Sequence, residues 1–400
     1  MPTSPDRPAS DSLPRPVSVA VRPTFAHVDL DAVRANYAAV VRHVGGAEAP
    51  LVIAVVKANA YGHGAVPVAR ALEQAGAAML ACADIEEAVV LRDGGVRGPI
   101  LVFGALSISD LDGVFTHGLT PTVSSPFAAR ALSAAAARRG VTVACHLKID
   151  TGMNRLGFRF DNLDHTMQDV LGRPGLEIAA AYTHFATADE PAHPLFERQR
   201  KRFDDSLRRL AAMGIRPPLR HAANSAALLR DRNTWYDAVR PGLLLYGLVP
   251  PGGEAPFPVA AAMTMRSRVV AVKGMRVGET TGYGARAPVD RPATVAVVPA
   301  GYADGLDVRM AGRGSVLVRG RRAPVVGAVS MDSITIDVTG LGVTPGDEVV
   351  LVGEQSGRRI GAGEIAAAVG TVPHEILCRT GSRIVRTYAG GADAAGESAP

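Results

Sequence analysis

The chain has 400 residues, 47% of them hydrophobic and 20% charged, and its formal net charge is +5. This composition is typical of a globular protein with a large core, and no apolar run reaches the length of a membrane span. The positive charge comes mostly from scattered arginines, with no basic block interleaved with aromatic residues, so neither nucleic acid nor a membrane is an expected partner.

The ends of the chain and its cysteines indicate a cellular compartment. Residues 1–23 are rich in Pro, Ser, Asp and Arg and lack the apolar segment of a signal peptide, so we predict a disordered leader there and a flexible tail over 389–400. Cys82, Cys145 and Cys378 lie far apart and show neither a disulfide framework nor metal-ligand spacing. We therefore expect a cytoplasmic protein without a metal site.

From residue 51 to about 247, short apolar runs alternate with amphipathic or alanine-rich segments. The runs are "LVIAVV", "AAMLACA", "PILVFG", "LTPTVS", "TVACHLKI", "LEIAAAYTHF", "PPLRHAAN" and "GLLLYG". Strands that alternate with helices predict βαβ units and a parallel sheet. Eight such units favour an α/β fold of the (β/α)8 TIM-barrel type, which we assign to residues 24–257.

The pattern changes after about residue 258. Short Val-rich segments such as "ATVAVVPAGYADG", "SITIDVTG" and "GDEVVLVGEQ" are separated by Gly, Pro and Asp, and helical periodicity is nearly absent apart from "GAGEIAAAVG". This pattern predicts a C-terminal β-rich domain over 258–388, joined to the barrel through "VPPGGEAPFP".

Polar side chains follow at least five of the predicted barrel strands, at the end where such barrels carry their active sites. They are Lys57, Lys148 with Asp150 and Arg155, His184, Asn224 with Ser225, and Arg240 with Gly242. A single strand-end lysine is more often a surface residue that extends into water. Five polar ends on one face of a barrel indicate a site instead.

The residue types in this set indicate a chemistry. Lys57 is a candidate nucleophile that could form a Schiff base. Ser225 and Gly242 lie where backbone N–H groups can hold a phosphate. A lysine and a phosphate cradle on a barrel point to pyridoxal phosphate. We expect His63, His193 and His221 to be structural or exposed, because the histidines show no ligand spacing.

Several motifs resemble those of one enzyme family and occur in that family's order. "AVVKANAYGHG" is similar to the cofactor-lysine motif of the alanine racemases. The family's other motifs are matched by "HLKIDTGMNRLGF", "THFATAD", "HAANSAA", "RPGLLLYG", "TGYGA", "AGYADG" and "VSMD". The likeness extends from residue 27 to about 386, which is nearly the whole predicted fold.

The resemblance implies a cofactor, pyridoxal 5'-phosphate, and the residues that hold it. Lys57 would carry it covalently and Arg240 would face its pyridine nitrogen. The other implied cofactor-binding residues hold the phosphate or flank the ring; they are Tyr61, Arg155, His184, Asn224, Ser225, Gly242, Leu243 and His374.

The resemblance also implies an activity, the interconversion of L-alanine and D-alanine, which supplies D-alanine as a peptidoglycan precursor. Lys57 and Tyr283 would act as bases on opposite faces of the substrate, with Tyr283 reaching in from the partner in a head-to-tail homodimer. Lys148 matches a lysine that is carbamylated in some members. The implied substrate-binding residues are Arg155, Tyr302 and Met331.

Arg240 favours a racemase over related activities. An arginine is permanently cationic and can only donate hydrogen bonds, so a ring nitrogen beside it stays unprotonated and withdraws electrons weakly. A fold-related amino-acid decarboxylase would be expected to place an acidic residue there. A non-catalytic cofactor carrier would lack the C-terminal domain that contains Tyr283.

Three positions depart from the family's pattern, all in the region of the substrate entrance. His374 in "VPHEILCRTG" stands where a tyrosine is usual, Ala328 precedes "VSMD" where many members have arginine, and the stretch around Leu306 lacks the usual aromatic-Pro-Arg ending. Three interpretations stay open: tolerated drift, an inactive homologue, or a widened entrance that admits another small amino acid such as serine or 2-aminobutyrate.

Overall fold

The computed structural model describes residues 22–45, 49–105, 111–285 and 288–390. Most of the predicted leader and tail therefore lies outside the described residues. Ala389, which the prediction placed in the tail, ends the final strand.

A closed barrel of parallel strands forms the first unit. Its eight strands are β2 Leu51–Val55, β3 Met79–Cys82, β4 Ile100–Val102, β5 Thr120–Val123, β6 Val143–Asp150, β7 Leu176–Tyr182, β8 Leu219–Asn224 and β9 Ala238–Arg240. Each strand pairs in parallel with its neighbour, and the β9–β2 and β5–β6 pairings close the ring. The predicted TIM-type barrel is confirmed.

The prediction for the eighth strand was wrong. The run "GLLLYG" contains a 3-10 helix, Leu243–Tyr246, and the eighth strand is the preceding "AVR". Leu244 and Leu245 are fully buried. A short apolar run has the same appearance in a buried strand and a buried helical turn, so periodicity alone did not separate them.

Helices surround the barrel or connect its strands. They are α1 Leu30–Val44, α2 Ala65–Gln74, α3 Ile85–Asp93, α4 Asp112–Thr116, α5 Pro126–Arg139, α6 Leu163–Thr166, α7 Leu195–Ala212 and α8 Ser225–Arg230. The Arg-rich α7 buries Phe196, Phe203 and Leu210, as their helical spacing predicts, and turns its charges outward.

The second unit is a largely antiparallel sheet. Its strands are β1 Phe25–Asp29, β10 Met263–Arg268, β11 Ala271–Met275, β12 Ala293–Val298, β13 Ser315–Val318, β14 Arg321–Val326, β15 Ile334–Asp337, β16 Glu348–Gln355, β17 Arg358–Ile360 and β18 Val385–Ala389. Their order is β11-β12-β15-β14-β13-β16-β10-β1-β18, with β17 paired to β16. Two helices, α9 Ala362–Val369 and α10 Pro373–Cys378, accompany them.

The strand β1 differs from its predicted place in the barrel unit of 24–257. It pairs antiparallel with β10 and parallel with β18, so it lies in the second sheet. Its alternating burial, with Ala26 and Val28 inward, is that of a sheet with one covered face. The barrel is thus inserted between the first strand of the sheet and the rest.

The helix α10 brings the second unit to the mouth of the barrel. A Cβ at Gly62, whose φ is +84°, would lie 2.1 Å from the Leu377 carbonyl oxygen, so only glycine allows this contact. Arg386 Nε also donates to the Gly62 carbonyl at 2.7 Å. These contacts fix α10 and β18 against the segment that follows Lys57.

Candidate active site

A cavity of about 620 Å³ opens at the C-terminal ends of the barrel strands. All ten residues predicted to bind the cofactor line it, namely Lys57, Tyr61, Arg155, His184, Asn224, Ser225, Arg240, Gly242, Leu243 and His374. Lys148 also lines it. The fold therefore brings together side chains at the ends of five barrel strands, β2, β6, β7, β8 and β9, and from α10.

Lys57 opens a left-handed helical turn. The next four residues, Ala58 to Tyr61, have φ between 52° and 54°, and none is a glycine. Such a turn costs L-residues about 1–2 kcal/mol each, so it persists only where surrounding contacts hold it. The turn places Lys57 at one end and Tyr61 at the other, and both side chains line the cavity.

Hydrogen bonds secure this turn on both sides. The carboxylate of Glu87 accepts from the Ala58 backbone N–H at 2.6 Å, and Asn59 Oδ1 accepts from the N–H of Ala65 at 2.7 Å. Within the turn, Ala60 N–H donates to the Val56 carbonyl at 2.9 Å. Glu87 was missed by the sequence analysis.

The electrostatics of the cavity favour a neutral Lys57 amine. Burial lowers the pKa of Lys57, and the positive charges of Arg155 and Arg240 lower it further. Glu87 opposes this shift through its negative charge. A lysine with a lowered pKa is a better nucleophile and base at neutral pH.

One end of the cavity is a cradle of backbone and hydroxyl groups. Ser225 Oγ accepts from the Gly242 N–H at 3.0 Å. A Cβ at Gly242 would lie 2.5 Å from Tyr61 Oη, so a side chain at this position would displace the Tyr61 ring. Tyr61 in turn stacks on the buried ring of Tyr246, with ring centroids 4.8 Å apart. Asn224 caps α8 by accepting from Ala227 N–H.

Arg240 is anchored on the floor of the cavity. Its Nη2 donates to the carbonyls of Thr183 and Ala222 at 2.8 and 2.9 Å, and its Nη1 donates to His221 Nδ1 at 2.7 Å. Burial lowers the pKa of Arg240 to about 10, which leaves it cationic at neutral pH.

A pair of buried histidines continues from Arg240. Because an arginine only donates, His221 must accept at Nδ1 and carry its proton on Nε2, which lies 3.0 Å from His146 Nδ1. Burial and the charge of Arg240 lower the pKa of His146 to about 4 and that of His221 well below its usual value. His221 was expected to be structural or exposed; it is buried in this network. His146 and the stacked Tyr182 were not singled out from sequence.

Lys148 and His184 lie beside this floor. Lys148 is 5% exposed, and burial, reinforced by Arg155 and Arg240, lowers its pKa to about 8. Burial and the neighbouring cations lower the pKa of His184 well below its usual value, so it is neutral. His184 Nδ1 lies 3.3 Å from Arg240 Nη2.

His374 forms part of the cavity wall. Its ring centroid is 6.3 Å from that of Tyr61, edge to face. Its Nδ1 is buried and has no hydrogen-bond partner among the residues that the structure describes. Burial and the charge of Lys57 lower the pKa of His374. Cys378, from the same helix, also lines the cavity and was not predicted to do so.

Three predicted site residues lie elsewhere in the chain. Tyr283, Tyr302 and Met331 are 79%, 41% and 51% exposed and do not line the cavity. Tyr302 N–H donates to the Ser330 carbonyl at 3.0 Å. A Cβ at Gly282 would lie 3.1 Å from the backbone nitrogen of Ala328. The motifs "TGYGA", "AGYADG" and "VSMD" thus meet on one exposed face of the second unit.

The described ranges contain neither a metal-ligand cluster nor a membrane-spanning helix. Within those ranges, no group of three or more His, Cys, Asp or Glu side chains could hold a metal ion. No helix in the described part of the chain combines the length and apolar character needed to span a bilayer.

The amino-acid sequence matches the models of a known protein family over most of its length. Residues 28–250 match the family model "Alanine racemase, N-terminal domain", and residues 262–388 match "Alanine racemase, C-terminal domain". An alanine racemase of Symbiobacterium thermophilum is 43% identical over 372 residues, which cover 92% of this chain and 98% of that protein.

Solved structures give the same likeness. An alanine racemase from a D-cycloserine-producing Streptomyces lavendulae has a TM-score of 0.88 at 35% identity, covering 95% of this chain and 100% of that one. One from Bartonella henselae with covalently bound pyridoxal phosphate has a TM-score of 0.80 at 30% identity, covering 92% and 99%.

Proposed function

The chain belongs to the alanine racemase family, and from that premise we propose that it is an isomerase that interconverts L-alanine and D-alanine with pyridoxal 5'-phosphate. The observation that carries the proposal is the meeting of Lys57 and Arg240 in one cavity. Lys57 has a lowered pKa, and Arg240 can only donate. The combination suits a reaction that moves one proton and nothing else.

The donor set of the cavity fits this cofactor. Tyr61 and Ser225 offer hydroxyls to a phosphate, with Ser225 Oγ held by the Gly242 N–H, and His374 has a buried nitrogen without a partner among the described residues. Lys57 supplies the amine for a covalent link. When bound, the cofactor supplies an electron-withdrawing ring that acidifies the α-carbon of the substrate. Arg240 would donate to the ring nitrogen, keep it unprotonated and so limit side reactions.

We assign the two proton transfers to Lys57 and Tyr283. The Lys57 amine would hold or release the α-carbon proton on one face of the substrate, and the phenol of Tyr283 would do so on the other. Two bases on opposite faces invert the configuration without turning the substrate over. Arg155, exposed at the cavity mouth, would hold the substrate carboxylate.

A head-to-tail homodimer would complete the site. Tyr283 is 79% exposed and lies outside the cavity of its own chain, as do Tyr302 and Met331. This exposed face contains one predicted catalytic residue and two predicted substrate-binding residues, which supports its role as an interface. A second copy of the chain could present the face to the cavity. Tyr283 of the partner subunit would then be the second base.

Lys148 is proposed to be carbamylated. Carbon dioxide reacts with a neutral amine, and a pKa of about 8 gives Lys148 a substantial neutral fraction at pH 7–8. The resulting negative charge would be stabilised by Arg155, whose charge already acts on Lys148. A carbamate signal in 13C NMR after addition of labelled bicarbonate, absent from Lys148→Ala, would be the expected result.

The departures near the entrance favour a second candidate, a racemase with a broader range of small amino acids. His374 offers a neutral imidazole where the family usually has a phenol, and Ala328 stands beside the exposed motifs where many members have an arginine.

We also propose a cytoplasmic location, which the three free cysteines support.

The proposed activity is tested with purified protein and L-alanine. D-alanine formed should be detected with D-amino-acid oxidase, and the absorbance of the lysine-bound cofactor should be present. Lys57→Ala should lose both, whereas Lys273→Ala, at an exposed lysine on β11, should lose neither. Racemisation by Lys57→Ala at the wild-type rate would contradict the proposal.

A further inference from the structure

The left-handed turn after Lys57 needs restraint, because four successive L-residues with positive φ are unfavourable without it. Gly62, which follows the turn, packs closely against the Leu377 carbonyl and accepts a hydrogen bond from Arg386. The start of the turn is different: Ala58 is exposed, and its N–H faces the side chain of Glu87. Whatever binds this N–H controls the peptide group that follows Lys57.

Glu87 uses both carboxylate oxygens on backbone groups. Oε1 accepts from the Ala58 N–H at 2.6 Å, and Oε2 accepts from the Ala83 N–H at 2.8 Å. Ala58 follows β2 and Ala83 follows β3, which is the neighbouring strand. The carboxylate therefore bridges the ends of two adjacent barrel strands at the rim of the cavity.

Glu87 is itself held in place by the first turn of α3. Its own N–H donates to Asp84 Oδ1 at 2.8 Å, where Asp84 is the N-cap of the helix. This resembles a capping box, in which a glutamate merely satisfies the N-cap backbone. Here Oε2 accepts from the backbone next to the N-cap, while Oε1 reaches out of the helix to the turn that begins at Lys57, which a capping role does not require.

We propose that Glu87 is a positioning residue for Lys57, holding the left-handed turn through the Ala58 N–H so that the amine stays in the cavity. Its negative charge has a second effect, since it partly offsets the lowering of the Lys57 pKa by burial and by Arg155. The inference deepens the proposed function and rests on it only for the role of the amine.

Both effects can be measured in the cofactor-free protein. Hydrogen exchange of a peptide that covers residues 57–64 reports the turn, and the pH dependence of Lys57 acetylation, followed by mass spectrometry, reports the amine pKa. Glu87→Ala should speed exchange in this peptide by about tenfold to a hundredfold, as expected for loss of a hydrogen bond to a charged acceptor. It should also lower the pKa of Lys57.

Glu87→Gln separates the two effects and serves if Glu87→Ala fails to fold. One amide oxygen can still accept from a single N–H, so exchange should rise less, whereas the amine pKa should fall because the charge is gone. Glu86→Gln is the matched control, since Glu86 is an exposed neighbour of the same charge in the same helical turn. It should change neither measurement.

In the cofactor-loaded enzyme, displacement of Lys57 should lower kcat more than it changes KM, because the amine acts on the reacting proton. The inference is overturned if Glu87→Gln and Glu87→Ala leave both the exchange of 57–64 and the Lys57 pKa as in the wild type, even where stability falls. Those measurements do not depend on alanine turnover, so failure of the proposed activity would be recognised separately.

Discussion

Arg240 and His221 are joined by a hydrogen bond of 2.7 Å between Nη1 and Nδ1, in a fully buried position beneath the cavity. The bond fixes the tautomer of His221 and directs its remaining proton to His146. The orientation of the guanidinium toward the cavity thus depends on two side chains that do not line it.

His221→Leu is expected to destabilise the protein, because it leaves a buried N–H of Arg240 without an acceptor. The loss should be about 2–3 kcal/mol in the free energy of unfolding. Urea unfolding of the cofactor-free protein measures it. His165→Leu, on an exposed site of α6, is the control and should stay within about 0.5 kcal/mol of the wild type. Equal unfolding midpoints for the two variants would refute the expectation.

Stability should fall as the pH falls from about 6.5 to about 4. The pKa of His146 is lowered from 6.5 to about 4 in the folded protein. Between these two pH values the unfolded chain binds more protons than the folded protein, so acid stabilises the unfolded state. The stabilisation is complete above pH 6.5 and is lost as the pH falls toward about 4, by up to about 3 kcal/mol for this group.

His146→Asn tests this dependence. The Asn oxygen can accept the Nε2 proton of His221 in place of His146 Nδ1 but does not titrate. The difference in unfolding free energy between pH 7 and pH 4 should therefore shrink. His165→Asn should leave it unchanged. If the unfolding free energy of His146→Asn changes with pH as much as that of the wild type, other groups cause the acid sensitivity.

Mixed dimers should reveal whether active sites are shared. Lys57→Ala and Tyr283→Phe subunits are each expected to lose most activity in at least one direction. After unfolding and refolding together in equal amounts, half the dimers should be mixed, with one complete site each, so about a quarter of wild-type activity should return. If mixing restores nothing, or if Tyr283→Phe alone racemises both enantiomers at wild-type rates, the shared two-base site is wrong.

His374→Tyr should narrow the choice of substrate. The larger phenol reduces space at the cavity wall, so kcat/KM for serine and 2-aminobutyrate relative to alanine should fall by about tenfold. Phenylalanine is nearly as large as tyrosine but has no hydroxyl, so His374→Phe separates the effect of side-chain size from that of hydrogen bonding. If the wild-type enzyme already acts only on alanine, and the kcat/KM ratio between substrates is the same in both variants, His374 is a tolerated substitution without effect on substrate choice.

The barrel could be predicted because its pattern is local. Alternating apolar and amphipathic runs reflect strands and helices that pack on sequence neighbours, and seven of the eight predicted runs overlap the observed strands. The strand β1 was misplaced since its partners lie about 240 and 360 residues away, and no local pattern records a partner at that distance.

Site residues could be predicted where the chemistry of the side chain itself indicates a role. They were missed where the role depends on the position that the fold gives to an ordinary residue. Lys57 and Arg240 were found because they belong to a set of polar residues at five strand ends and to motifs that resemble those of a known family. Glu87 has the appearance of an exposed helix residue; the only available signal was the Asp84-to-Glu87 capping spacing. The left-handed turn has no glycine between residues 58 and 61, so turn composition did not predict it.

The pairing of β1 with β18 has a consequence for the growing chain. Residues 25–29 are made before the barrel, whereas their parallel neighbour, Val385–Ala389, is made about 360 residues later. During synthesis the entire barrel can emerge and close while one edge of β1 still lacks its partner. A ribosome stalled before residue 385 would hold a chain with a complete barrel and an open sheet edge, and that edge is a site for aggregation or for recognition by a chaperone.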